Sequence, residues 1–162
     1  MYFVANWKMY GDIKSLKSLN KVIKFSKSNE INKGRLIYCP PYTLISSFLK
    51  KFKNCQIDIG GQNCHESETF GPYTGYVNSR MLKNIGANYV IIGHSENREK
   101  GENNKLINQK IKSALKAKLK VIFCIGETLS EKRKKKTQSI LSKQIKVGLD
   151  KIKNNSNIFI AY

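Results

Sequence analysis

One alternation runs along the whole chain: short apolar runs that read as strands give way to longer stretches with helical spacing, five times over, and a sixth apolar run follows. The strand-like runs are 2–9 (YFVANWKM), 35–39 (RLIYC), 56–63 (QIDIGGQN), 88–94 (NYVIIGH), 120–126 (KVIFCIG) and 157–162 (NIFIAY). Between them the sequence predicts helices over 13–27, 42–52, 78–85, 103–118 and 130–153. Ile45, Phe48, Leu49 and Phe52 fall at i, i+3, i+4 and i+7, the spacing of one buried helix face. Gly86, just past Ile85, is a usual helix stop. Strands that alternate with helices pair in parallel, and right-handed crossovers lay the helices over the sheet. Such strands are apolar almost throughout because both faces are buried. No linker or low-complexity segment divides the chain, so residues 1–162 are expected to form a single domain.

Charge and cysteine content narrow the function classes. The net charge of +19 would suit a nucleic acid or an anionic membrane surface as partner. Yet only four of the 30 basic residues are arginine (Arg35, Arg80, Arg98 and Arg133), and the lysines are spread over almost every polar segment instead of alternating with aromatics. The densest run, EKRKKKTQ at 131–138, opens a helix whose apolar stripe is Leu141, Ile145, Leu149 and Ile152, so it reads as a solvated face. Neither nucleic acid nor membrane is expected as a partner. A small phosphorylated substrate would still be drawn to this charge. No apolar run approaches the ~20 residues that cross a bilayer, and MYFVANWKMYG does not read as a signal peptide. The expected setting is the cytoplasm. Cys39, Cys55, Cys64 and Cys124 form no C-x-x-C pair, and Cys64-His65 lacks further ligands at zinc spacing, so reduced thiols and no metal are expected.

Two architectures fit five βα units and a strand: an open doubly wound sheet, or part of a (β/α)₈ barrel. The first would favour G-x-G-x-x-G or G-x-x-x-x-G-K-[ST] after the first strand, and NWKMYGDIK has neither. In the barrel, chemistry gathers at the C-terminal ends of the strands. Asn6 and Lys8 are two apart near the end of the first strand and share a face, with Trp7 pointing the other way. By the same rule Val90, Ile92 and His94 share a face of the fourth strand. His94 is followed by Ser95 and Glu96 and shares the predicted mouth with Asn6, Lys8, Gln62 and Glu127.

These residues sit in motifs. ANWKM (5–9), GGQNC (60–64), GPYTGYV (71–77), IIGHSENR (91–98), CIGETL (124–129) and the run IAY (160–162) resemble the triosephosphate isomerase family, in order and at close to its spacing. The resemblance implies a (β/α)₈ barrel, incomplete over these residues as five βα units plus the sixth strand. It implies interconversion of dihydroxyacetone phosphate and glyceraldehyde 3-phosphate through an enediolate, in glycolysis and gluconeogenesis, with no cofactor. The acid–base pattern is a worked case of general pKa tuning. By resemblance Lys8 and Asn6 bind substrate, with Lys8 offsetting charge on phosphate and enediolate. His94 is the neutral electrophile, and Ser95 and Glu96 support it. Residues after His94 are expected to begin a short helix whose N-terminal dipole keeps a neutral N–H donor available. Cys124 and Glu127 read as structural. Thr74 is the family's dimer contact, inserted toward the partner's site, so the complete chain is expected to be a homodimer.

The family's catalytic base is a glutamate directly after the residue that matches Tyr162. Residues 1–162 therefore lack the base, and also the lid and later loops that hold phosphate. The expectation is an N-terminal portion of a chain of ~250 residues, inactive by itself and open at its first and sixth strands to pairing with other chains. Two departures accompany this: Tyr76 stands where the family carries glutamate, and Asn97 where it carries arginine, a pair commonly joined as ions. Their joint change reads as one exchanged contact. ENREKGENNK is one residue shorter than the commonest form, around Glu102. Two other readings remain: a different phosphate-handling barrel enzyme, and a basic non-enzymatic or nucleic-acid-binding protein.

Overall fold

Each crossover returns the chain to the neighbour of the strand it has just left, so sheet order equals sequence order. In the computed structural model, which describes residues 1–28, 34–153 and 156–162, the strands are β1 (Tyr2–Asn6), β2 (Arg35–Cys39), β3 (Ile57–Gly61), β4 (Tyr89–Ile92), β5 (Lys120–Cys124) and β6 (Ile158–Ala161). They form one six-stranded sheet, parallel throughout. The α-helices are α1 (Asn20–Ser26), α2 (Ile45–Lys51), α3 (Ser79–Ile85), α4 (Ser95–Glu99), α5 (Asn104–Lys116), α6 (Leu129–Arg133) and α7 (Thr137–Gly148).

Alternation along the strands sorts the core into two layers. Val90, Ile92, Val121 and Phe123 pack with helical Phe48, Ile107 and Ile111. Their neighbours Tyr89, Ile91 and Ile122 join Ile37 and Cys39 in a second cluster that contains no helical residue. A doubly wound sheet would carry helices on both faces, whereas here this second face closes on itself. The Tyr2 ring of β1 and the Phe159 ring of β6 lie 4.5 Å apart although these strands are at opposite ends of the sheet order. The sheet is thus curled, with helices outside: five βα units and a sixth strand, as expected for a (β/α)₈ barrel over six of its strands.

Burial is uneven along the sheet. Tyr89, Val90 and Ile92 in β4 are fully buried, whereas Tyr2, Phe3 and Val4 in β1 are 45%, 50% and 41% exposed. Among the described residues β1 pairs only with β2 and β6 only with β5.

Four sequence expectations need correction. The helix expected over 13–27 begins as a 3₁₀ segment, Ile13–Leu19, before α1. Asp12 and Ser15 cap it reciprocally, and the Ser18 hydroxyl donates to the Ser15 carbonyl at 2.7 Å, the kind of local competition that weakens α-helical pairing. The helix expected over 130–153 is two helices, α6 and α7, parted at Lys134–Lys136. Lys135 there adopts φ +56°, and the Lys136 N–H bonds back to the Glu131 carbonyl at 3.0 Å. A continuous helix would stack residues 132–136, five adjacent cations, at i, i+3 and i+4 separations, which repel; the left-handed stop leaves all five exposed. The buried face of α7 also differs from the expected stripe: Gln144 and Gly148 are buried, while Ile145 is 38% exposed. Gly148 is needed for close approach, because a Cβ there would meet Phe123 Cζ at 2.5 Å. Finally, the first strand ends at Asn6 and the fourth at Ile92, short of the expected 2–9 and 88–94.

Candidate active site

Those two shortened strands deliver the polar residues. Asn6 pairs in register with Cys39, whose side chain belongs to the inner cluster, so Asn6 ends β1 on the inner face. Lys8 does not follow by alternation. It lies beyond the strand at φ +51°, and its N–H donates to Asn6 Oδ1 at 3.0 Å, an Asx-type turn. Trp7 packs edge-on against Phe48, with centroids 4.9 Å apart on the helix side. Asn6 and Lys8 do line one cavity, as expected, but a turn and not the pleat brings them together.

The face assigned to His94 by alternation is likewise corrected. Val90 and Ile92 face the helices. Gly93 then turns the chain at φ +77°, where a Cβ would meet the Cys124 carbonyl oxygen at 3.0 Å. His94, the residue that caps α4, leaves the helix-facing side and points to the mouth. The expected short helix after His94 is α4.

The cavity, of about 870 Å³, is lined by Asn6, Lys8, Gln62, His94 and Glu96 together with Asn97 and Glu102. His94 Nδ1 accepts the Glu96 backbone N–H at 3.3 Å. Glu96 Oε2 lies 3.4 Å from the same nitrogen, but a backbone N–H always carries its proton, so Nδ1 is the acceptor and Nε2 carries the ring proton. The Glu96 carboxylate instead meets Lys8 Nζ at 3.0 Å. This bond holds the carboxyl below its ordinary value, against the opposing effect of desolvation.

His94 also borders a second cavity, of about 700 Å³, with Ser95, Cys124, Glu127 and Tyr162 on its wall. Ser95 is exposed there as the first residue of α4. Glu127 accepts hydroxyl bonds from Thr137 at 2.9 Å and Tyr162 at 3.2 Å. Its own backbone N–H leads these donors in lowering its pKa. Burial raises the Cys124 thiol, and the nearby Arg98 opposes that rise. Glu127 thus stands across His94 from Asn6, Lys8 and Gln62, not beside them.

Thr74 lies exposed in the tip of the 65–77 loop, outside the lining of the first cavity. Tyr76 and Asn97 both line that cavity, and the Tyr76 ring meets His65 edge-on at 5.0 Å. His65 also packs on Tyr73 at 4.3 Å. Glu102 lies at the back of the cavity, ion-paired with Lys110 and accepting from Asn63 Nδ2 at 2.7 Å. Among the described residues no cluster of three His, Cys, Asp or Glu side chains could hold a metal, and no helix is long and apolar enough to cross a membrane.

For two residues with structural hold on the site, Arg98 and the mouth residue Gln62, the sequence reading missed the role. Arg98 donates to the carbonyls of Gly93 (2.7 Å) and Cys124 (3.0 Å) and to Asn104 Oδ1 (2.7 Å), joining the ends of β4 and β5. Its type was the signal: a fork of fixed donors is wanted where lysine prevails elsewhere. Gln62 donates from Nε2 to the carbonyls of Lys8 (2.8 Å) and Cys39 (2.9 Å). No local pattern announces it, since its partners are 54 and 23 residues away.

A curled parallel sheet with helices outside and polar residues at its C-terminal rim defines a protein of the (β/α)-barrel class. The family model "Triosephosphate isomerase" matches residues 1–162, and the chain belongs to that family. It is 40% identical over 162 residues to the triosephosphate isomerase of Dictyoglomus thermophilum, covering 98% of this chain and 64% of that protein. With that of Thermodesulfovibrio yellowstonii it shares 41% over 163 residues, 99% of this chain and 65% of the relative. The crystal structure of the Bartonella henselae triosephosphate isomerase superposes with a TM-score of 0.91 at 36% identity, over 99% of this chain and 66% of that one. The chain thus spans about 64% of the length of the curated relatives it matches.

Proposed function

We propose that the protein to which this chain belongs is a triosephosphate isomerase, interconverting dihydroxyacetone phosphate and glyceraldehyde 3-phosphate without a cofactor. The observation that carries the reading is the His94 geometry. With Nδ1 facing the Glu96 N–H at 3.3 Å, Nε2 is the ring nitrogen left to donate to a substrate carbonyl. A neutral donor polarises a developing enediolate without becoming a stronger acid than the chemistry needs. The Lys8 ammonium and the Asn6 amide line the same cavity, where they would meet phosphate and enediolate oxygens. Lys8 is paired with Glu96 at 3.0 Å; an entering phosphate offers it a stronger partner. Ser95 and Glu96 support the histidine through the first turn of α4.

The proton itself moves on a carboxylate that the resemblance places directly after Tyr162, and the base abstracts and returns it between the two substrate carbons. The reading extends to a homodimer in which Thr74 reaches the other subunit, and to a cytoplasmic setting. A coupled assay that starts from glyceraldehyde 3-phosphate and follows NADH oxidation as the dihydroxyacetone phosphate formed is reduced tests the activity. The complete protein, with the glutamate, the lid and the later loops, is expected to turn over, its His94→Gln variant to lose about 10²–10⁴ of its rate, and a polypeptide of residues 1–162 to be silent. Turnover by the complete protein that survives His94→Gln would remove the basis of the assignment.

A further inference from the structure

Lys8 is a non-glycine residue held in a left-handed conformation, at φ +51°. Such a conformation persists only where the surroundings over-determine it. Four contacts do so, one of them the turn bond from the Tyr10 N–H to the Trp7 carbonyl at 3.1 Å. On the N-terminal side the Trp7 N–H donates to the Cys39 carbonyl at 3.0 Å, the last ladder bond of β1. The Lys8 N–H donates to Asn6 Oδ1 at 3.0 Å. The Lys8 carbonyl accepts from Gln62 Nε2 at 2.8 Å, and the same nitrogen donates to the Cys39 carbonyl at 2.9 Å. Both N–H groups of one amide are therefore spent on two carbonyls. The amide orientation is fixed by its acceptors, since a flipped Gln62 would set its oxygen against both of them. Gln62 follows β3 directly, so its side chain reaches across the end of β2 to the turn after β1. Gln62 itself is half-buried, anchored by its part-buried bond to Cys39, and from there it reaches out to the exposed Lys8 carbonyl.

We propose that Gln62 is a positioning residue: its carboxamide locks the Lys8 backbone in the left-handed turn and so sets where the Lys8 ammonium meets an anionic substrate. This rests on the reading of the cavity as a triose-phosphate site. Without Gln62 the peptide after Lys8 loses this side-chain anchor, and the turn, held then by the Asn6 and Tyr10 bonds, can shift toward a less strained conformation that carries the ammonium with it. Glu96 pairs with the ammonium in the empty site, but a half-exposed ion pair constrains the end of a four-carbon stem far less than it constrains the backbone. The cost should therefore fall on ligand binding more than on folding.

The test uses Gln62→Met, which keeps length and loses the donors, with glycerol 3-phosphate as a non-reacting probe in calorimetry. Gln62→Met is expected to weaken the probe roughly tenfold with a melting temperature shifted by only a few degrees. In a Lys8→Met background the same substitution should change probe affinity no further. An equal loss in both backgrounds, or none in either, overturns the inference, because a merely structural Gln62 would act regardless of the lysine. Backbone carbon shifts of Lys8 give a reading that needs no ligand: left-handed in the wild type, relaxed in Gln62→Met. Shifts unchanged by Gln62→Met sink the proposal whatever the binding data show. If Lys8 does relax but the wild-type protein binds no glycerol 3-phosphate, the clamp stands and the functional reading of the cavity falls.

Discussion

β1 and β4 both hand over to the mouth of the barrel through a left-handed residue, yet one turn uses glycine and the other lysine. At the end of β4, Gly93 sits at φ +77° against the Cys124 carbonyl and the Arg98 side chain, with no room for a Cβ. The half-buried Arg98 guanidinium then ties the turn to β5. At the end of β1 the space is open, Lys8 is exposed, and the strain of φ +51° is tolerated with a full side chain. Where packing alone rules, the chain takes the residue that costs least in that conformation; where a side chain is wanted, it accepts the strain and spends an amide, Gln62, on holding it. The β4 turn is a packed joint and the β1 turn a presented cation.

The largest effect expected from this contrast is at the joint. Arg98→Met removes three donors and leaves the Gly93 and Cys124 carbonyls to find new partners. Hydrogen bonds from a charged donor carry most of what is lost, about 3–4 kcal/mol. Urea unfolding would measure it, and a loss under about 1 kcal/mol would mean that the joint is held by packing alone. Gly93→Ala should follow at about 2–3 kcal/mol, combining left-handed strain with the 3.0 Å approach to the Cys124 carbonyl. If it costs less than the same change at an open turn, the packed-joint description of β4 is wrong.

The same contrast governs what could be read in advance. The βα alternation made the barrel legible, because strands buried on both faces announce themselves as apolar runs. The face of each rim residue did not follow, since pleat alternation stops where the strand stops. Asn6 lies on β1 and obeyed the rule. Lys8 and His94 each lie two residues past the end of their strand, in turns that no period describes, so the first reached the mouth by an Asx turn and the second by a glycine. The families of residues at the mouth were legible from motif. Gln62 was legible as a mouth residue, but its bonds, 54 and 23 residues away, were not, nor was the reach of Arg98 to Cys124, 26 residues on. The split between α6 and α7 was hidden for a different reason: hydrophobic spacing carried on through a run of charges that a helix cannot comfortably stack.

Buried thiols behind the rim add a pH-dependent effect of intermediate size. Burial pushes Cys39 up to about 12, with nearby Cys124 adding to the rise. Cys64 is likewise pushed up to about 12 by burial, partly offset by Lys110. Unfolded, each thiol ionises near ~8.5. A raised folded value means that the unfolded chain loses its proton first, so stability is intact below about pH 8.5 and falls as pH rises from there toward 12. The slope is on the order of 1 kcal/mol per pH unit for each thiol. Melting temperatures measured between pH 7 and 10.5 should stay level and then decline. A Cys39→Ala, Cys64→Ala double variant that declines just as steeply would place the alkaline loss elsewhere.

The smallest effect is the one that most directly separates strain kept for a side chain from strain that is merely tolerated. Lys118, past the end of α5, is also left-handed, at φ +60°, with its N–H on the Leu115 carbonyl and the following Leu119 N–H on the Ala114 carbonyl. That is an ordinary helix stop at which glycine is the usual residue. Lys118→Gly should stabilise the protein by about 1 kcal/mol or less, and glycerol 3-phosphate affinity should not change, since the residue lines neither large cavity. Lys8→Gly relieves the same strain and should also melt slightly higher, for its half-exposed pair with Glu96 contributes little to stability. It removes the ammonium, however, and probe binding should collapse. Two substitutions of the same kind, at nearly the same φ, would then move stability together and binding apart. If Lys8→Gly instead bound the probe as tightly as Lys118→Gly, the left-handed turn after β1 would be no more than a second helix-stop-like accident, and the cation at the mouth would have no function to explain its strain.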